Sequence, residues 1–382
     1  MGTAPAHSRP KDRPKRGWRA WLIGGIAVAV VAGLAAGAGL FPRSPSNKAS
    51  ADPRPTVLPL NVVSTDPAPN ATNVASDTTI TIDLSTSLAP NSPMPSLSPA
   101  VAGSWSAASA TELEFVADGP LVPGSQETLT IPGGPTGLVS PNGRFLASTT
   151  TVSFTVAPGS TLRLQQLLAQ LGYLPLAFTP TTQPTSPQQE ADPQQGSFSW
   201  RWANQPASLT SLWTQGTSNV ITTGAVMSFE DQHGLATDGI PGPDVWTALL
   251  QAAAAGQTDA TPYGYVYVSQ NLPETVTVYQ NGSQVYQTLA NTGVPAAPTA
   301  TGTYPVYLRY VSTTMKGVNP NGTPYDDPGI PWVSYFNGGD ALHGFVRASY
   351  GFPQSVGCVE MPPANAAVVY PMTPIGTLVT VA

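Results

Sequence analysis

The chain of 382 residues has one cysteine, three histidines and only 9% charged residues. A single thiol, Cys358, excludes an internal disulfide. His7, His233 and His343 stand far apart, and no cluster has metal-ligand spacing, so no metal or other cofactor is expected. Low charge here does not mean disorder, because hydrophobic residues make up 41%. Pro (42) and Gly (36) are abundant, which with many Thr and Val predicts short strands joined by turns. The length predicts two or three domains, and the composition makes the chain mainly β.

The few cations are unevenly placed. Nine of the 15 Lys and Arg fall in residues 1–54, where the only acids are Asp12 and Asp52. The remainder is strongly acidic, which argues against nucleic acid as a partner. Residues 1–17 form a basic tail ahead of one long apolar run, 18–41, which has 24 residues and is long enough to span a bilayer. The positive flank keeps the tail cytoplasmic and exports the rest. The expectation is a single-pass anchor in the cell membrane with the bulk outside the cytoplasm. The alternative is a signal sequence cleaved near Ala36-Gly37-Ala38, giving a secreted protein. No cysteine stands near this run, which excludes a lipoprotein.

Residues 42–58, with four prolines, make an extended linker. Residues 59–157 alternate with period two at 78–84, 112–116, 128–131 and 150–156, which predicts an immunoglobulin-like β-sandwich acting as a stalk. Residues 159–256 change period. Leu162, Leu164, Leu167, Leu168 and Leu171 mark a helical face that Ser160 caps and Gly172 ends. Further helices are expected near 224–230 and 243–250, with a Pro- and Gln-rich loop insertion at 179–207. Residues 261–382 return to β. Asn281-Gly282 is a hairpin turn between 275–279 and 284–288, 304–308 is a further strand, Pro362 and Pro363 start a short helix, and 377–381 is the last strand.

Cys358 lies in Ser355-Val356-Gly357-Cys358-Val359-Glu360, fifteen residues after His343-Gly344. An isolated cysteine is commonly a small core residue. Here a histidine precedes it, and Gly357 leaves room for a substrate backbone. Cys358 is therefore a candidate nucleophile and His343 its base, since a thiol attacks only as thiolate. Backbone N–H groups around Val356, Gly357 and Cys358 are candidate oxyanion donors. The Ser355 hydroxyl either stabilises the turn or orients the imidazole. Tyr325, Trp332, Arg347 and Glu360 are candidate substrate contacts, each with a core or solvent role as the alternative.

Two resemblances follow. Leu171-Gly172-Tyr173, Ala225 to Glu230, and Gly234-Leu235 through Asp238-Gly239 and Gly242-Pro243 to Trp246 resemble the small three-helix peptidoglycan-binding domain family. His343-Gly344 and Ser355-Val356-Gly357-Cys358-Val359 resemble the YkuD-type L,D-transpeptidase catalytic family over about 263–382. That second resemblance implies a C-terminal mixed β-sandwich. It implies Cys358 as nucleophile, His343 as general base and acid, and Gly344 and Ser355 in support. The implied reaction acylates the enzyme on a peptidoglycan tetrapeptide stem, releases D-alanine, and joins the third residues of two stems. Peptidoglycan stem peptides and glycan are the implied partners, and carbapenem-type β-lactams the implied inhibitors. The family often has His before the Gly-Cys and Arg two residues beyond it, where this chain has Val356 and Glu360. Those changes keep open a weak or inactive wall-binding scaffold, and water as acceptor would make an L,D-carboxypeptidase or another thiol hydrolase.

Overall fold

The computed structural model describes residues 59–382. The basic tail, the apolar run 18–41 and the linker 42–58 lie outside the described residues. Among those described, no helix is long and apolar enough to cross a membrane.

The first part is all β: β1 (Val62–Asp66), β2 (Ile80–Leu84), β3 (Ser96–Ser98), β4 (Gly103–Ala107), β5 (Glu112–Ala117), β6 (Gln126–Ile131) and β7 (Thr150–Thr155). They form one sheet ordered β1-β2-β5-β4 and another ordered β3-β6-β7. Alternation decides which face is buried: Ile80, Ile82 and Leu84 meet Leu113, Phe115, Leu129, Ile131, Val152 and Phe154 in one core.

Next come α1 (Thr161–Gln170), β8 (Leu176–Pro180), β9 (Gly196–Trp200), α2 (Ala207–Thr210), α3 (Val220–Gln232) and α4 (Pro243–Ala254). The Ser160 side chain accepts from the Arg163 N–H at 3.0 Å, satisfying one donor of the first turn of α1. Asn219 does the same for α3, accepting from Thr222 at 3.0 Å. The expectation of a small three-helix domain with a loop insertion needs correction. The insertion folds as an antiparallel β8–β9 hairpin in which Phe178 opposes Phe198, followed by the extra helix α2. The core is not closed on itself either. Leu167, Phe229, Trp246 and Leu249 pack in one cluster with Tyr265 and Leu378, which belong to the C-terminal part.

That part holds β10 (Gly264–Ser269), β11 (Thr275–Gln280), β12 (Ser283–Leu289), β13 (Gly302–Pro305), β14 (Leu308–Val318), β15 (Pro324–Asn337), β16 (Asp340–Gly344), β17 (Val359–Met361), α5 (Pro363–Val369) and β18 (Leu378–Val381). One sheet runs β12-β11-β10-β18-β13 and the other β14-β15-β16-β17. Asn281 (φ 49°) and Gly282 (φ 77°) make the β11–β12 turn, as their left-handed tolerance predicts. The strand expected at 304–308 is broken, because the chain changes sheet there. Val306 donates to Thr377 beside β18, and Tyr307 to Tyr335 on β15.

Both faces of the five-stranded sheet are covered. Val266 and Val379 face the second sheet and pack with Phe336, Leu342 and Val359, while Tyr265 and Leu378 face the helices. Helix α3 lies close on that side. A Cβ on Gly224 would stand 2.6 Å from the Gly376 carbonyl oxygen, and Ser228 Oγ donates to the Ile375 carbonyl at 2.9 Å.

Candidate active site

Strands β16 and β17 run parallel, with Leu342 opposite Val359 and His343 opposite Glu360. Leu342 and Val359 point into the core. Strand alternation then sends His343, Cys358 and Glu360 to the other face. There they line a cleft of about 260 Å³ with Tyr325, Asp327, Ile330, Phe345, Arg347 and Val356. A larger cavity of about 580 Å³ lies among Asp118, Arg163, Glu190 and Gln257, but it holds neither a thiol nor a histidine.

His343 is 2% exposed. Its Nδ1 lies 3.1 Å from the Gly344 carbonyl oxygen, which requires a proton on Nδ1 and leaves Nε2 as the basic nitrogen. Nε2 has no hydrogen-bond partner. Burial pulls the imidazole below its ordinary range, with the Gly344 carbonyl and Glu360 opposing it. Burial pushes the Cys358 thiol up to about 12; the Ala341 N–H opposes this, and the charges of Asp340 and Glu360 add to it. The thiol donates to the Gly339 carbonyl at 3.6 Å and not to the imidazole. The resting pair is therefore neutral.

The turn before Cys358 is held from several sides. Ser355 Oγ donates to the Cys358 carbonyl at 2.5 Å, so Ser355 fixes the turn and does not orient the imidazole. Thr299 Oγ1 reaches the same carbonyl at 3.4 Å. Gly357 has φ +111°, and a Cβ there would lie 2.6 Å from Asp340 Oδ1, so any other residue would be strained. Among the described residues, the N–H groups of Val356, Gly357 and Cys358 have no backbone partner, which leaves them free to donate to an oxyanion.

The other candidates divide. Tyr325 lies in the cleft. Trp332 is a correction: it packs on Tyr370 at 5.7 Å and, on the same side of β15 as Phe336, against the inter-sheet core. Arg347 and Glu360 line the cleft but bind each other. Nε donates to Oε2 at 2.8 Å and Nη2 to Oε1 at 2.8 Å. The Arg347 guanidinium also stacks over Phe345 at 4.6 Å.

A bacterial Ig-like domain model matches residues 56–156, and an L,D-transpeptidase catalytic domain model, YkuD, matches residues 263–381. The C-terminal domain is of the L,D-transpeptidase catalytic family. Among solved structures, the chain is similar to an L,D-transpeptidase from Mycobacterium smegmatis (13% identity, 85% of this chain and 100% of that one, TM-score 0.30). It is also similar to L,D-transpeptidase 3 from Mycobacterium tuberculosis (12% identity, 84% and 98%, TM-score 0.29). A third is the catalytic domain of E. faecium L,D-transpeptidase acylated by ertapenem (26% identity, 32% and 100%, TM-score 0.29). These TM-scores are too low to add weight to the family match. No curated protein matches the chain.

Sequence reading of the L,D-transpeptidase domain missed the residues that brace its site. Asn291 exchanges two backbone hydrogen bonds with Glu360, each 2.9 Å, and Thr292 O accepts from Gln354 and Ser355. Buried Glu274 takes the Thr292 N–H at 2.6 Å and its hydroxyl at 2.7 Å. Asp340 accepts from Ala300 at 3.1 Å, and burial raises its carboxyl above the usual range. None carries a local signal, since each acts through contacts across the fold.

Proposed function

We propose that this L,D-transpeptidase domain cross-links peptidoglycan through Cys358 and His343. His343 Nε2 takes the thiol proton, and Cys358 Sγ attacks the carbonyl of the third residue of a tetrapeptide stem. The N–H groups of Val356, Gly357 and Cys358 receive the oxyanion. The imidazolium returns its proton to the amine of the departing D-alanine. The thioester then passes its acyl group to the side-chain amine of another stem. The observation that carries this reading is the shared cleft: the only thiol in the chain and a histidine with a fixed tautomer and an unpartnered, buried Nε2 line it together.

The test is intact mass of the full-length chain after incubation with a carbapenem, beside Cys358→Ala. One adduct, absent from the variant, is the expected result; no adduct on folded protein overturns the reading. The high thiol pKa and the thiol's bond to Gly339 favour a second reading, a wall-bound scaffold without turnover. Muropeptide products separate transfer from hydrolysis. The reading also places the chain at the cell membrane through 18–41, with residues 59–382 facing the wall and in contact with its glycan. Fractionation of cells expressing a deletion of 18–41 tests the anchor, and sedimentation with insoluble peptidoglycan tests the glycan contact.

A further inference from the structure

The cleft contains a carboxylate that the chemistry above does not use. Asp327 is half-buried on β15 and lines the cleft with Cys358 and His343. Its neighbour Asp326 faces the other way and pairs with Lys316 at 2.7 Å. Asp327 takes part in none of the salt bridges among the described residues. A bulge sets this geometry: Thr313 opposes Ile330 while Met315 opposes Asp327, so β15 carries one residue more than β14. Gly329, at φ +73°, lies in the bulge. Tyr325 and Asp327 share a face by alternation, and the extra residue brings Ile330 back to it.

The charge arrangement of the cleft gives that carboxylate a role. Both oxygens of Glu360 are taken by Arg347, so neither residue offers a free charge to a substrate. Asp327 is the cleft's remaining carboxylate. A second observation points to the same place: His343, 2% exposed, lines the cleft and has an unpartnered Nε2. A cationic end held by Asp327 would place its nitrogen beside the base that must deprotonate it.

We propose that Asp327 binds the ammonium of the acyl acceptor and sets a preference for cationic amines over neutral nucleophiles. This rests on the transpeptidase reading. Of the ammonium's three protons, one leaves to solvent through the imidazole, freeing the lone pair. The nitrogen bonds to the thioester carbonyl carbon and the C–S bond breaks. The second proton passes by way of His343 to the Cys358 sulfur, and the third stays on the new amide.

The test uses full-length protein, a stem tetrapeptide as donor, and two competing acceptors at pH 7.5. These are Nα-acetyl-lysine amide, which is cationic, and methoxyamine, which is neutral. In Asp327→Asn, KM for the lysine acceptor should rise about tenfold, kcat should change little, and methoxyamine transfer should stay within about twofold; Asp327→Glu should recover part of the loss. Equal loss for both acceptors, or no change in their ratio, overturns the assignment. Absence of any thioester on the wild-type chain by intact mass overturns the transpeptidase reading and this inference with it. A thioester with an unchanged ratio overturns this inference alone.

Discussion

Arg347 holds both carboxylate oxygens of Glu360 at 2.8 Å, joining the loop after β16 to strand β17 beside Cys358. Glu360 is 4% exposed, and Arg347 also donates to the Gln354 carbonyl at 3.3 Å. The guanidinium thus closes the 345–360 loop over the carboxylate. Hydrogen bonding to Glu360 holds Arg347 above even its ordinary range.

Removing one partner should cost more than removing both. Arg347→Ala leaves a buried carboxylate uncompensated and is expected to lower stability by about 2–3 kcal/mol. Arg347→Met with Glu360→Met should recover most of that loss. Urea unfolding of the three proteins checks it.

Gly357→Ala should separate folding from reactivity. The added methyl meets Asp340 at a backbone conformation that alanine resists, so the turn must shift. A stability loss of about 1–3 kcal/mol is expected, with a fall of at least about tenfold in the rate of carbapenem adduct formation. Adduct formation at the wild-type rate would show that the turn tolerates the shift.

The thiol should be unreactive at rest. With its pKa pushed up to about 12, iodoacetamide alkylation of the free protein should be slow at pH 7 and rise roughly tenfold per pH unit through pH 10. Asp340→Asn removes a negative charge that favours the protonated thiol. Its pKa should fall and alkylation at any one pH should speed up. Peptide mass mapping of Cys358 reads the rate.

Glu230 gives the helical region a pH dependence. It is fully buried on α3, with Oε2 accepting from Gly239 at 2.9 Å and Oε1 unpartnered. Burial raises its carboxyl from 4.5 to about 7. The folded state therefore binds the proton more tightly than the unfolded state does. The stability this contributes is complete below pH 4.5 and lost as pH rises through 7. Glu230→Gln keeps the acceptor for Gly239 and has no charge to bury. It should be the more stable protein above pH 8, by on the order of 1–3 kcal/mol, and the difference should close as the pH falls toward 5. Thermal melts across pH 5–8 measure it.

Local patterns read correctly wherever a residue's role depends on its neighbours in sequence. Ser160 caps α1, Asn281-Gly282 turns β11 into β12, and Pro363 opens α5. The hairpin at 176–200 was hidden by Pro- and Gln-rich composition, although Phe178 and Phe198 pair across it. The break at Val306 was hidden because a sheet change leaves no period of its own. Trp332 offered an aromatic beside the motif, and packing of the two sheets placed it against the core with Phe336.

The sequence alone determined the β-rich sandwich pattern and the helical segments, and it singled out Cys358 and His343 as candidates, because periodicity, turn chemistry and a rare residue type are local properties. The tertiary structure decided the rest. The parallel β16–β17 register put His343, Cys358 and Glu360 on one face, and the bulge in β15 brought Asp327 into their cleft. Arg347 neutralised Glu360, and α3 closed over the five-stranded sheet. Each of these depends on which distant backbones meet, and that follows from how the cores pack, not from the spacing of any one motif.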